Sequence, residues 1–371
     1  MKKALLTLLA AASLVSVSNA QTVIDIGGSS AGRTGVHNEI CRLLGVAGNF
    51  TFAYDGTAAT KHTSAIYKGS YSGQNYIIRT YWVGSVNGIE DVRLGTQQTG
   101  LLSTTINGTA GASDGTGGQM ITASGNYATS GAETAFEIGF SDVFPATVGQ
   151  TATSVDKKVA ILPFKWYANN GSTGITNITP SMIRYLYSGG ESAKSVLTGN
   201  ASDTASVYSI GRNADSGTRA VALADSGFGF VKTVTQNTAT VVSGAVTARA
   251  SSGNSGYASG GDVKTIMNAT YSGGTLIGYL GVSDFASSGV SLSYNGVAYS
   301  DANIKNGPYT FWSFLHMNSM SLSGNTATFF DALKTSIRTN AASSSMIKLA
   351  DMLVNRDADG AAVYEGTPTV D

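Results

Sequence analysis

The first place where this chain could do chemistry is "GRNADSGTRAV", residues 211–221. Arg212 stands four residues ahead of Ser216-Gly217-Thr218, and helix-compatible Ala and Val follow. Small hydroxyl residues around a glycine read as the mouth of a helix, where free N–H groups and partial positive charge gather. A guanidinium beside such a mouth can hold an anion. An ordinary capped helix with a surface arginine would give the same letters. Two other strands run into similar turns, at Gly28-Ser29-Ser30 and Gly84-Ser85, and a further strand ends in Ser141-Asp142. Each turn alone reads as a plain N-cap. Several converging at the carboxyl ends of strands would hold an anion without many lysines.

Other chemistries fit less well. "GGSSAGRT", residues 27–34, follows the phosphate-loop pattern except that Arg33 stands where Lys is required. "GASDG", 111–115, fits G-x-S-x-G but has no strand before it, and "ADSG" at 214 and 224 only loosely resembles a protease serine loop. His37, His62 and His316 show no local partnership: His37 falls on the polar side of a helix, and His316 reads as a packed core histidine. "NRDADG", 355–360, starts like a calcium loop, but the twelfth position is Gly366, so a surface turn is expected. With no Cys/His cluster, neither a metal site nor a cofactor is expected, and no enzyme chemistry is assigned.

The elements that would position these residues alternate between strand and helix, which indicates an α/β fold with a mainly parallel sheet. "VIDIGGSS" is a buried strand, and "GRTGVHNEICRLLG" follows with Val36, Ile40, Leu43 and Leu44 at helical spacing. "NYIIRTYWVGS", "TAFEIGFSDVFP", "KVAILPFKWYAN", "ASVYSIGR" and "TLIGYLGVSDF" are further strands. "NITPSMIRYLYSGG" is a helix with Thr179 as N-cap and Pro180 at its first position. "SLSYNGVAYS" is an Asn-Gly hairpin. "ATFFDALKTSIR" and "SSMIKLADMLVNR" read as terminal helices, residues 95–135 as a polar insertion, and a Ser/Thr/Gly-rich stretch runs to about 261.

Composition narrows the class. The 371 residues are 42% hydrophobic, enough for a core, but only 12% are charged, about half the usual share. The formal net charge is zero, so nothing favours a nucleic-acid partner, which would need clustered Lys and Arg. "MKKALLTLLAAASLVSVSNAQ" pairs Lys2 and Lys3 with an apolar run and small residues at Ser18 and Ala20. That is a secretory signal, residues 1–20, with cleavage expected before Gln21 and no lipoprotein cysteine there. The single Cys41 sits in a helical pattern and reads as a buried, inert thiol.

Taken in order, these pieces resemble a phosphate-binding protein of ABC transporters, a type 2 periplasmic binding protein. The matching segments are "GGSSAG", "GSVNGIEDV", "GFSDVFP" and "RNADSGT", with "IGYLG" and "YNGVAYSDANIKNGPYTFWSFLHM" as a return segment, so the resemblance spans most of residues 21–320. It implies two lobes with a ligand cleft between them: 21–150 in lobe I with the insertion, 151–270 in lobe II, and 271–371 back in lobe I. The crossings fall near 145–158 and 265–275. It further implies an exported, monomeric binding protein, periplasmic or secreted, for phosphate or a similar tetrahedral oxyanion, with ABC transporter membrane subunits as partner. Ser30, Ala31, Ser85, Asp142, Arg212, Ser216, Gly217 and Thr218 would bind the ligand. Asp142 would accept its proton, and Arg212, held by a carboxylate, would supply the charge. The sequence departs from the family in the long stretch between Ser85 and Asp142, in the small Ala31, and in an unmatched tail beyond about 325. A secreted structural or interaction protein on the same fold is the alternative.

Overall fold

One strand of 14 residues, "VDKKVAILPFKWYA", organises the molecule. Its first part pairs antiparallel with Trp312–Ser319, and its last part, Phe164–Ala168, with Thr275–Gly281. The chain therefore passes from one half of a continuous sheet to the other inside a single strand. We describe residues 21–46, 50–55, 62–104, 119–120 and 134–369 from a computed structural model. The expected secretory signal and the "GASDG" segment lie outside these residues.

Among the described residues, the strands longer than two residues are β1 (Thr22–Gly28), β2 (Thr51–Tyr54), β3 (Ser64–Tyr71), β4 (Gln74–Tyr81), β5 (Ile138–Ser141), β6 (Val155–Ala168), β7 (Glu191–Ala193), β8 (Ser206–Ser209), β9 (Gln236–Val242), β10 (Ala245–Gly253), β11 (Thr275–Gly281), β12 (Val290–Tyr294) and β13 (Trp312–Ser319). The main sheet runs β7-β8-β11-β6-β13-β5-β1-β4-β3-β2, with β12 also on β6. Parallel pairing forms the centre of each half, in β4-β1-β5 and β8-β11. The pairs that flank these centres are antiparallel, because β3 and β4 form a hairpin and the crossing strands run against their neighbours. Helices α1 (Arg33–Gly45), α2 (Ser85–Leu94), α3 (Pro180–Gly189), α4 (Lys194–Thr198), α5 (Gly217–Asp225), α6 (Gly260–Met267), α7 (Asp301–Lys305) and α8 (Gly324–Asn340) flank the sheet. Apolar residues at helical spacing face inward, as in α1 (Val36, Ile40, Leu43, Leu44) and α8 (Phe329, Phe330, Leu333, Ile337). Cys41 is fully buried, and Thr179 caps α3 as its position suggests.

Several expectations change. The second crossing comes later than 265–275: β11 and β12 both pair with the far end of β6, and the chain returns at Phe311–Trp312, where the Phe164 N–H donates to the Phe311 carbonyl at 3.1 Å. An apolar strand carries no mark of which half it joins. The Ser/Thr/Gly-rich stretch contains a hairpin, β9 and β10, that turns at Ser243-Gly244. "SSMIKLADMLVNR" is not a helix. Ile347 exchanges backbone hydrogen bonds of 2.9 and 3.0 Å with Ile161, and short turns bury Met346, Leu349 and Met352. The Asn295-Gly296 hairpin forms as read, with a Tyr294–Val297 bridge. The stem of the polar insertion pairs Gln97–Gln98 with Thr134–Ala135, and most of its interior lies outside the described residues. His37 is buried, with Nδ1 2.8 Å from the Tyr67 hydroxyl, so it does not face solvent. His316 is packed as expected, its Nδ1 2.7 Å from Asp156 Oδ1.

Candidate functional site

Three strand ends of the first half are stitched into one floor. The Gly84 N–H donates to the Gly28 carbonyl at 2.9 Å, and the Ser29 N–H to the Phe140 carbonyl at 2.8 Å. β1, β4 and β5 lie side by side, so their carboxyl ends open at one edge. There Ser85, the first residue of α2, hydrogen-bonds through its hydroxyl to Asp142 Oδ1, and its Oγ accepts the Asp142 N–H at 3.1 Å. Both residues are buried.

The facing wall comes from the second half. The Thr218 hydroxyl donates to Asp142 Oδ2 at 3.0 Å, and the Val86 N–H to the Asp215 carbonyl at 3.3 Å. Asp142 thus sits between a hydroxyl from each half. Gly217 is required by this approach. A Cβ there would fall inside the Asp142 carboxylate and 2.5 Å from Ser85 Oγ. Ser216 caps α5, its Oγ accepting the Arg219 N–H at 3.3 Å, and a hydroxyl that accepts in this way keeps a hydrogen to donate.

Arg212 reaches back across the boundary, with Nη2 3.4 Å from Ser30 Oγ. The guanidinium is held by carbonyls: Nε donates to Tyr257 at 3.1 Å and Nη2 to Ala258 at 2.8 Å. This corrects the expectation that a carboxylate grips it directly. Asp284 acts instead through its field. Burial lowers the Arg212 pKa from its usual value, and Asp284 is the strongest influence raising it, with Asp142 contributing less. Burial likewise raises the Asp284 pKa, against the pull of Arg33 and Arg212. The Ala31 N–H is taken by Ser29 Oγ at 3.2 Å, closing a local turn, so it is not presented as a free donor. The structure therefore joins Asp142, Ser85, Gly217 and Thr218 in one cluster and Arg212 with Ser30 in a second. Ser216 and Ala31 sit beside them in capping and turn roles.

Two charged residues beside the site were not assigned from sequence. Arg33 is buried, its Nη1 donating to the His62 carbonyl at 2.9 Å, and its pKa is lowered by burial, against the field of Asp284. It showed itself only as a misfit in a phosphate-loop pattern. Asp284 had a clearer signal. "GVSD" at 281–284 follows β11 just as "GFSD" at 139–142 spans the end of β5, and the two strand ends come from opposite halves. The Ser283 hydroxyl lies 3.5 Å from the Ala31 carbonyl, so this second strand end also meets the floor. A cleft cavity of about 460 Å³ opens beside it, lined by Arg33, Thr63, Ser259 and Asp262 among others.

Comparison with known proteins settles the fold. A solved structure described as a phosphate ABC transporter substrate-binding protein with bound phosphate, from Clostridium perfringens, superposes with a TM-score of 0.52 at 15% identity, over 88% of this chain and 99% of that one. An ABC-type phosphate transport receptor from Vibrio cholerae gives 0.51 at 15% identity, over 87% and 99%. The chain has the two-lobed fold of these binding proteins. No protein-family profile and no curated protein sequence matches it. The two halves of the sheet described above join at β6 and at Phe311–Trp312, and the candidate residues lie where the halves meet.

Proposed function

We propose that the protein is an exported, non-enzymatic solute-binding protein that captures phosphate, or a similar tetrahedral oxyanion, between its lobes for an ABC-type uptake system. The reading rests on one observation. Asp142 lies between Ser85 of one lobe and Thr218 of the other, with Arg212 of the second lobe reaching Ser30 of the first. An oxyanion needs donors and positive charge, and these residues supply hydroxyls, the mouth of α5 and a guanidinium. A buried carboxylate in the same place is favourable only if the anion brings a proton for it to accept, as phosphate does near neutral pH and sulfate does not. On binding, the Ser85 and Thr218 hydroxyls turn from Asp142 to the ligand's oxygens, and Asp142 accepts the ligand's hydroxyl. The lobes open and close about β6 and Phe311–Trp312 to admit it. The monomer, the transporter partner and cleavage before Gln21 belong to the same proposal.

A second reading has one observation in its favour. Both Asp142 oxygens and three Arg212 donor contacts are satisfied within the protein. That suits a secreted structural or interaction protein that has kept the fold and lost the ligand. Thermal unfolding with added phosphate separates the two. A ligand at 100 times its dissociation constant stabilises by about 2.7 kcal/mol. A melting temperature that rises with phosphate supports the binding protein, and one that stays fixed up to millimolar phosphate favours the alternative.

A further inference from the structure

The tail beyond α8 ties the two walls of the site together from behind. Arg356, fully buried, stacks on Trp312 with its guanidinium carbon 4.1 Å from the ring centre. Its Nη2 donates to the Thr310 carbonyl at 2.6 Å and its Nη1 to the Trp312 carbonyl at 3.2 Å, so it grips the segment where the chain returns between lobes. Nη1 also lies 3.4 Å from Asp225 Oδ1, and Asp225 is the last residue of α5. The first residues of that helix are Gly217 and Thr218, which face Asp142. Three positions further along the tail, Asp359 Oδ2 accepts the Phe144 N–H and the Thr147 hydroxyl, both at 2.8 Å. Phe144 follows Asp142 by two residues. Gly360, with φ of +73°, packs against the Ala224 carbonyl so closely that a side chain there would clash. Within five residues, the tail holds the far end of α5 and the segment that carries Asp142. "NRDADG" is a turn with Asp357 and Gly360 exposed, as expected, but its Arg356 and Asp359 are both buried.

We propose that residues 354–360 form a strap that sets the spacing between Asp142 and Thr218 and so favours the closed cleft, with Arg356 and Asp359 as positioning residues. The proposal rests on the binding reading of the site. Neither residue lies among the groups assigned to the ligand. Each acts through a helix or a loop that carries such a group. Arg356 fixes α5 to the return segment, and Asp359 then fixes the Asp142 segment to the same tail. Loss of the Asp359 tie frees the first lobe's wall to move away while the Arg356 anchor stays on the second lobe.

The test uses Asp359→Ala, Asp359→Asn and the milder Thr147→Val. Small-angle X-ray scattering of each purified protein is recorded with and without inorganic phosphate, and phosphate release is followed by stopped-flow tryptophan fluorescence. Asp359→Ala is expected to have a larger radius of gyration than wild type without phosphate and to return to the wild-type value when saturated. It should release phosphate about tenfold faster, the scale of losing a hydrogen bond to a charged group. Asp359→Asn keeps an acceptor for both donors and should stay at wild-type values. Thr147→Val removes one of the two bonds and should shift the same way by less, and it carries the test if Asp359→Ala does not fold. A folded Asp359→Ala, or Thr147→Val in its place, with wild-type radius and release rate and only a lower melting temperature would overturn the strap. So would an Asp359→Asn variant as open as Asp359→Ala. If wild type binds no phosphate, the function reading falls, and the scattering without phosphate still decides the strap.

Discussion

Gly217→Ala puts the geometry of the site under direct strain. The added methyl would lie 2.5 Å from Ser85 Oγ and 2.7 Å from Asp142 Cγ, closer than real Cβ atoms come to any neighbour, and nearer still to Asp142 Oδ1. The neighbours are short side chains on a buried floor, with no flexible end to swing away. Relief therefore comes from moving α5 off the floor, which separates Thr218 from Asp142 and from any ligand that Asp142 faces. Losing hydrogen bonds to a charged group costs about 1.5–3 kcal/mol, or roughly 10- to 150-fold in affinity. Overpacking a buried site also costs folding about 1–3 kcal/mol, and Gly217, as the first residue of α5, gains little helix propensity from Ala to offset it. We expect a lowered melting temperature together with phosphate affinity at least tenfold weaker by calorimetric titration of the folded variant. A folded variant with wild-type affinity would show that the mouth of α5 does not touch the ligand.

The other expectations concern charge. Arg356→Ala leaves Asp225 buried without its cationic partner, a change that costs about 3–5 kcal/mol, and chemical denaturation should find a loss on that scale. A loss below about 1 kcal/mol would mean that the pair is not a structural anchor. Burial raises the Asp359 pKa to about 6. The folded state therefore holds this proton more tightly than the unfolded one, whose carboxyl titrates near 3.9. The resulting stability is fully present below about pH 4 and is lost as pH rises through about 6, a change of about 3 kcal/mol. Asp359→Asn removes that dependence, so urea denaturation should find the variant gaining on wild type between pH 4 and pH 8, and a constant difference would refute it. Arg212→Lys keeps the charge but cannot reproduce a fork that bonds the Tyr257 and Ala258 carbonyls and Ser30 together. Phosphate affinity should fall about tenfold or more, and equal titrations of the two proteins would show that the arginine is only structural.

The floor of the site was legible because its marks are local. Gly-Ser turns at strand ends, the Ser216 cap and the Asp142 strand end each sit within a few residues of the structure they specify. The tie between Arg356 and Asp225 was not legible, since it joins positions 131 residues apart, and "NRDADG" taken alone suggests solvent or calcium. Residues 344–356 mislead for a similar reason. Met346, Leu349 and Met352 are spaced as on a helix face, but Ile347 pairs with Ile161 and draws the backbone onto β6. The hairpin β9–β10 was hidden by its Ser and Thr residues, which are common in loops and also fit a half-exposed strand. The sheet assignment of β11 depends on neighbours that its own residues do not name. Asp284 could have been found, had "GVSD" been set beside "GFSD".

Whether Asp142 faces a protonated anion is decided by paired calorimetric titration of phosphate and sulfate into wild type and Asp142→Asn. Wild type should bind phosphate at least about tenfold more tightly than sulfate, a difference of about 1.4 kcal/mol, because sulfate near neutral pH brings no proton to the carboxylate. Asp142→Asn should narrow the ratio by admitting sulfate. A wild type that takes both anions equally, or takes neither, would contradict this role for Asp142, as would a ratio that the substitution leaves unchanged.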